Sequence, residues 1–172
     1  MITLLQTAAS TAQPWADLYA DSTGVQAVVA FLHVGGLVAA GGFALAADRA
    51  TLLALRRPEP ERRAWVHELG SIHRPVLIGL AVVVLSGFLM LAADVQALLP
   101  SPVFWVKMAA FVLLLLNGRA LQRAGQRLAS AAPEGDGAPD AKGWRALRTA
   151  SLRSAGLWFA VLFLGTLLTS AA

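Results

Sequence analysis

Residues 25–47, VQAVVAFLHVGGLVAAGGFALAA, decide the fold. The run exceeds the roughly 20 apolar residues that cross a ~30 Å hydrocarbon core. His33 is its only ionisable group. Three more runs follow: 75–93 (PVLIGLAVVVLSGFLMLAA), 103–118, which holds Lys107 near its start, and 155–171. Lipid leaves no backbone polar group unpaired, so each run is read as a helix. The expected fold is all-α, an integral membrane four-helix bundle over residues 25–172, preceded by an external segment, 1–24.

Composition agrees. The 172 residues are 57% hydrophobic and only 14% charged, against about 25% charged in soluble domains. Mean hydropathy is +0.63. With no cysteine, thiolate metal sites, iron–sulfur clusters, disulfides and covalently attached haem are excluded.

Charge placement sets the expected orientation. Arg49, Arg56, Arg57, Arg62, Arg63 and Arg74 lie between the first two runs. Arg119, Arg123, Arg127, Lys142, Arg145, Arg148 and Arg153 lie between the last two. These are thirteen of the fourteen basic residues, on the same side of a four-span chain. The positive-inside rule makes that side cytoplasmic and both termini external, in a bacterial cytoplasmic (inner) membrane. The sequence pI near 10.7 is therefore a topology signal rather than a sign of nucleic-acid binding, and anionic lipid headgroups are the expected partners of the basic loops.

The first 23 residues lack a basic n-region and lead into a full-length span, so they are read as an interfacial segment rather than a signal peptide. Trp15 and Tyr19, with Asp17 and Asp21 beside them, fit that reading. Trp105, Trp144 and Trp158 are expected at the membrane interfaces, as an aromatic belt. Pro58 and Pro60 sit where a helix can begin, so the second span is expected to start well before the bilayer, with Pro75 a possible kink. The third is expected to continue past Asn117, with Arg119, Arg123 and Arg127 forming one basic stripe. Pro133–Pro139 reads as a turn.

His33 is the leading candidate for chemistry. It lies about 12 Å from the external end at 1.5 Å per residue, and ionisable groups at such depth are costly and by default functional. It is read as an axial ligand to b-type haem, as a proton-handling group, or as a neutral histidine hydrogen-bonded across the bundle. Small residues surround it. Gly35, Ala39, Gly42 and Ala46, with Gly36, Ala40 and Ala44, form faces for close helix packing or for a flat macrocycle. A close contact at Gly35, Ala39 and Gly42 predicts that Gly42→Leu disrupts assembly.

Lys107 either snorkels to the headgroups or faces inward at the level of His33. Inward, it would join Ser86 and Thr166 in a polar cluster able to hold a propionate, a quinone carbonyl or a proton path. His73 begins the second span and could hold a separate cofactor near the cytoplasmic face, with Asn117 nearby; alternatively it is a solvated histidine. His67 and His73 are six residues apart, so one helix cannot aim both at one metal. His33 and His73 differ in depth by roughly 20 Å, too far to share one iron. Met90 and Met108 are the outer-half candidates for a second axial ligand, and with His33 they form the only set suited to copper(I).

Two stretches carry a family resemblance: HRPVLIGLAVVVLSGFLMLAAD from His73, and SPVFWVKMAAFVLLLLNGRAL, residues 101–121. A first-span histidine, a second span containing Ser86-Gly87 and the Phe104-Trp105-x-Lys107-Met108 start of the third resemble small four-helix membrane proteins. These are grouped with copper-resistance protein D and the HemJ-type membrane protoporphyrinogen oxidase. The resemblance covers about residues 28–121. It implies haem binding, with His33 and Lys107 at the positions that matter in the oxidase. The third and fourth spans here carry no histidine, so a shared haem-binding or scaffold architecture is implied rather than the oxidase activity.

The expected function is therefore a small b-type haem-binding or quinone-associated redox membrane protein. The alternatives are a cofactor-free accessory subunit of a larger membrane complex or homo-oligomer, packing through helix one, and a metal or proton transport role.

Overall fold

The computed structural model describes residues 2–130 and 141–170, and every element among them is helical. The order is α1 (Ile2–Asp21), α2 (Thr23–Ala54), α3 (Glu59–Ala93), α4 (Val95–Leu98), α5 (Pro102–Ser130) and α6 (Ala141–Ser170). Four of these, α2, α3, α5 and α6, are long and apolar enough to cross a membrane, which is consistent with a multi-pass membrane protein. The turn expected at Pro133–Pro139 lies outside the described residues.

The four long helices pack as a square. Neighbours are α2 with α3, α3 with α5, α5 with α6, and α6 with α2. At 1.5 Å per residue, the 35 residues of α3 reach about 52 Å, well beyond a ~30 Å core. The excess lies at the basic end, as the expected helical extensions require. There α3 begins at Glu59 with Pro60 in its first turn, a position where the missing proline N–H costs nothing. The helix continues through Pro75. Likewise α5 runs on past Asn117 to Ser130, with Arg119, Arg123 and Arg127 all exposed.

Two apolar cores stack along the bundle. Ala40, Leu80, Leu114, Trp158 and Val161 fill the middle. Val66, Leu69, Leu121, Leu128, Trp144 and Leu147 fill the basic end. Around the middle core an apolar belt is left bare. Phe31, Ile78, Leu85, Phe88, Phe159 and Phe163 are each more than 60% exposed. A belt of this kind on a water-soluble monomer would be anomalous, and in lipid it is the solvated surface.

Trp105 is exposed near the start of α5, and its indole N–H donates to Leu99 O at 2.9 Å. The other two tryptophans correct the expectation of an interfacial belt. Trp158 is 2% exposed and covers Gly41 on α2. Trp144 is buried in the basic-end core, with the Arg62 guanidinium 5.0 Å from its ring centroid. Both indoles fill space between helices, Trp158 where Gly41 of α2 leaves a gap and Trp144 among the side chains of the basic-end core.

The termini-bearing end is closed by α1, which lies against α2, α3 and α4. The Trp15 indole N–H donates to Leu89 O at 2.8 Å, and the Gln26 amide donates to Tyr19 O. Ser22 caps the start of α2 by accepting from Val25 N.

The small residues of α2 divide into two faces. Gly36 and Ala40 are buried against α3, where a β-carbon on Gly79 would stand 2.8 Å from Ala40 Cβ and 3.0 Å from Ala40 N. This is the close backbone contact that small residues permit. Gly35 and Gly42 have nothing within 4 Å of an added β-carbon, and Ala39, Gly42 and Ala46 are exposed. The expected contact at Gly35, Ala39 and Gly42 is therefore not made within the chain. The i, i+4 row from Gly36 is one position out of phase with the row from Gly35, and α3 occupies the former.

Candidate functional site

Two polar sites interrupt the apolar interior, one in each half of the bundle. The first joins α2, α3, α5 and α6 toward the termini-bearing end. His33 Nδ1 lies 3.1 Å from Ser86 Oγ. Ser86 is buried, and its hydroxyl donates to Val82 O at 2.6 Å. With its proton on Val82 O, Oγ is placed to accept from His33 Nδ1–H. In that tautomer the lone pair sits on Nε2, able to ligate a metal or take a proton.

Two glycines make room at this site. A β-carbon on Gly87 would stand 3.2 Å from His33 Cε1, so the imidazole lies directly against the α3 backbone. A β-carbon on Gly165 would stand 3.7 Å from Lys107 Nζ. Lys107 thus turns inward toward α6, half-buried and within electrostatic range of His33.

Thr166 does not join the cluster: it is exposed and donates to Phe163 O of its own helix. Met90 lies one turn beyond Ser86 on the same face of α3, and Met108 follows Lys107 on α5, both half-buried. The tight α2–α3 contact leaves no slot for a macrocycle against Gly36 and Ala40, while Gly35 and Gly42 face away from the interior.

The second site is a cleft of about 190 Å³ toward the basic end. Its walls are apolar, with Leu80, Leu114 and Trp158 at its back. Its polar groups are Asp48 from α2, His73 from α3, Arg119 and Gln122 from α5, and Ser154 from α6. His73 Nδ1–H donates to Leu69 O at 3.3 Å, which again leaves Nε2 free. Asn117 is not part of this cleft; its amide donates to Ala150 O across the α5–α6 contact at 2.9 Å. His67 is exposed on the α3 extension.

Asp48 was not legible as a site residue. It is 2% exposed, with Ser151 and Ser154 as its polar neighbours. Both hydroxyls stand close enough to act on the carboxylate, yet neither makes a well-formed hydrogen bond to Oδ2, and the Ser151 hydroxyl is also unpartnered. Among the described residues no Lys or Arg forms a salt bridge with it. Directly before Arg49, Asp48 looks like the first solvated residue after a span. Its position seven residues after Gly41, on the face that α6 covers, is the signal that could have marked it as inward.

Among the described residues no three His, Asp or Glu side chains converge as a metal-binding group. No family model, curated protein or solved structure matches the chain.

Proposed function

We propose that the chain is a small redox protein of a bacterial cytoplasmic membrane that holds b-type haem through His33. The observation that carries this reading is the fixed imidazole: Ser86 engages Nδ1 and leaves Nε2 as a lone-pair donor inside the bundle. Metal-ligating histidines are oriented in this way by a hydrogen bond to their other nitrogen. Lys107 supports the reading, because an inward ammonium at this level suits a propionate carboxylate. Met90 or Met108 would help to hold the group beside His33. Bound haem would supply one-electron chemistry; the protein's part is to orient the imidazole, balance charge and exclude water.

The test is an absorption spectrum of protein purified from haem-replete cells. A Soret band, with reduced-minus-oxidised bands in the visible range, is expected. A colourless preparation under haem supply would remove this reading in favour of a cofactor-free accessory subunit. One observation favours that second reading: the face bearing Gly35, Ala39 and Gly42 is uncovered and suits close approach by a helix of another subunit.

The proposed orientation places both termini outside and the α2–α3 and α5–α6 connections in the cytoplasm, from the positive-inside rule. A periplasm-dependent reporter fused after Ala172 is expected to be active, and one inserted at Gly137 inactive. Activity in the reverse pattern would turn the bundle over.

A further inference from the structure

The cleft at the basic end is separate from the His33 site and chemically distinct from it. A carboxylate buried without a full set of hydrogen bonds is costly. Asp48 Oδ2 is such a group, and it belongs to a side chain that lines a cavity. Ionisable residues inside membrane proteins mark sites by default. Together these observations call for an occupant that brings Asp48 its missing partner.

We propose that this cleft binds the head group of a lipid-borne quinone and quinol, with Asp48 as the partner of one ring oxygen. Four features select that chemistry. First, the volume of about 190 Å³ suits a single ring and falls short of the ~300–1,000 Å³ of ordinary drug-sized ligand sites, so a haem macrocycle would not enter without opening the helices. Second, the polar groups come from different helices. Asp48 comes from α2, while His73 on α3 and Gln122 on α5 offer partners to a second oxygen. Third, a carboxyl group serves both redox states: ionised, it accepts from a quinol hydroxyl, and protonated, it donates to a quinone carbonyl. Fourth, Leu77 and Leu115 line the cleft and are themselves 58% and 37% exposed, so the cleft opens between α3 and α5 into the lipid-facing belt, where an isoprenoid tail would lie.

Other occupants suit the cleft less well. A cationic amphiphile would have to share the cleft with Arg119, and a phosphate headgroup attracted by Arg119 would meet the Asp48 carboxylate. Asp48 also borders a second groove with Leu45, Arg49, Leu53 and Arg56, but neither His73 nor Gln122 lines it. The proposal concerns binding alone and does not depend on the haem reading. Protein without a Soret band that still binds quinone would sink only the latter.

The test uses the full chain in detergent, titrated with decylubiquinone while tryptophan fluorescence is followed, since Trp158 lines the cleft. Saturable quenching is expected. Asp48→Leu removes the charge with little change in shape, and the bundle should remain folded because the Oδ2 atom has no partner to lose. It is expected to raise Kd about tenfold or more, the range of one charge-assisted hydrogen bond. Gly118→Leu is the second variant. Gly118 lines the cleft and has nothing within 4 Å of an added β-carbon, so a leucine side chain there starts from open space and narrows the cleft. It is expected to abolish saturable quenching with an unchanged thermal midpoint. Thr169→Ala, at the far end of α6, is expected to leave Kd within twofold. Quenching that never saturates, or is the same in all variants, would mean partition into the micelle and would overturn the proposal. Loss with Gly118→Leu but full binding with Asp48→Leu would overturn the assignment of Asp48 to the head group.

Discussion

Gly79→Leu is expected to prevent assembly of the bundle, while Gly42→Leu leaves it intact. The difference lies in what an added side chain meets. At Gly79, a β-carbon alone would stand 2.8 Å from Ala40 Cβ, 3.0 Å from Ala40 N and 3.2 Å from Ala40 Cα. Overpacking costs about 1–3 kcal/mol where neighbouring side chains can give way. Ala40 is 0% exposed and has no flexible end to move, so α2 and α3 must separate. That separation would disturb the largest helix pairing among the described residues and the His33–Ser86 contact about two turns away. At Gly42 a β-carbon meets nothing within 4 Å. Yield of monodisperse protein and thermal melting in detergent would check both variants. A stable Gly79→Leu protein would mean that these helices do not pair face to face. A folded Gly42→Leu protein that loses a higher oligomer would instead identify its face as a subunit contact.

The same two glycines show how far the sequence could be read. Periodicity places Gly35, Ala39, Gly42 and Ala46 on one face of α2, and Gly36, Ala40 and Ala44 on the next. Both faces satisfy the small-residue pattern, and only the position of α3 selects between them. Lys107 is a similar case, since a lysine one turn inside a span has the same sequence context whether it snorkels or turns inward. What was legible followed from solvent physics. Lipid requires long apolar helices, proline marks the start of α3, and excess helix length must project somewhere. Asp48 escaped because the apolar run ends at Ala47, and the limit of a hydrophobic run says nothing about which helix covers the next residue. Thr166 escaped for the converse reason: depth in the bundle is readable from spacing, but azimuth relative to neighbouring helices is not.

His33→Ala is expected to abolish the Soret band or shift it strongly, the largest spectroscopic change open to any single substitution here. Removing the imidazole deletes the only histidine nitrogen in that half of the bundle. Ser86→Ala should act more mildly. It removes the acceptor that holds Nδ1–H, and loss of such an orienting partner typically weakens ligation about 10–100-fold. Lys107→Ala should speed haem loss without changing band positions, because an ammonium near a propionate holds the group without touching iron. His67→Ala, on the exposed part of α3, should change nothing. His73→Ala separates the two halves of the molecule: the bands are expected to survive it, and bands that vanish with it would overturn both the His33 assignment and the reading of the basic-end cleft as too small for haem. If wild-type protein carries haem and His33→Ala retains the same spectrum, the ligand assignment fails. The His33–Ser86 pair is then a buried hydrogen bond that fixes the register of α2 on α3, and its loss should appear as a lower melting temperature instead of a lost colour.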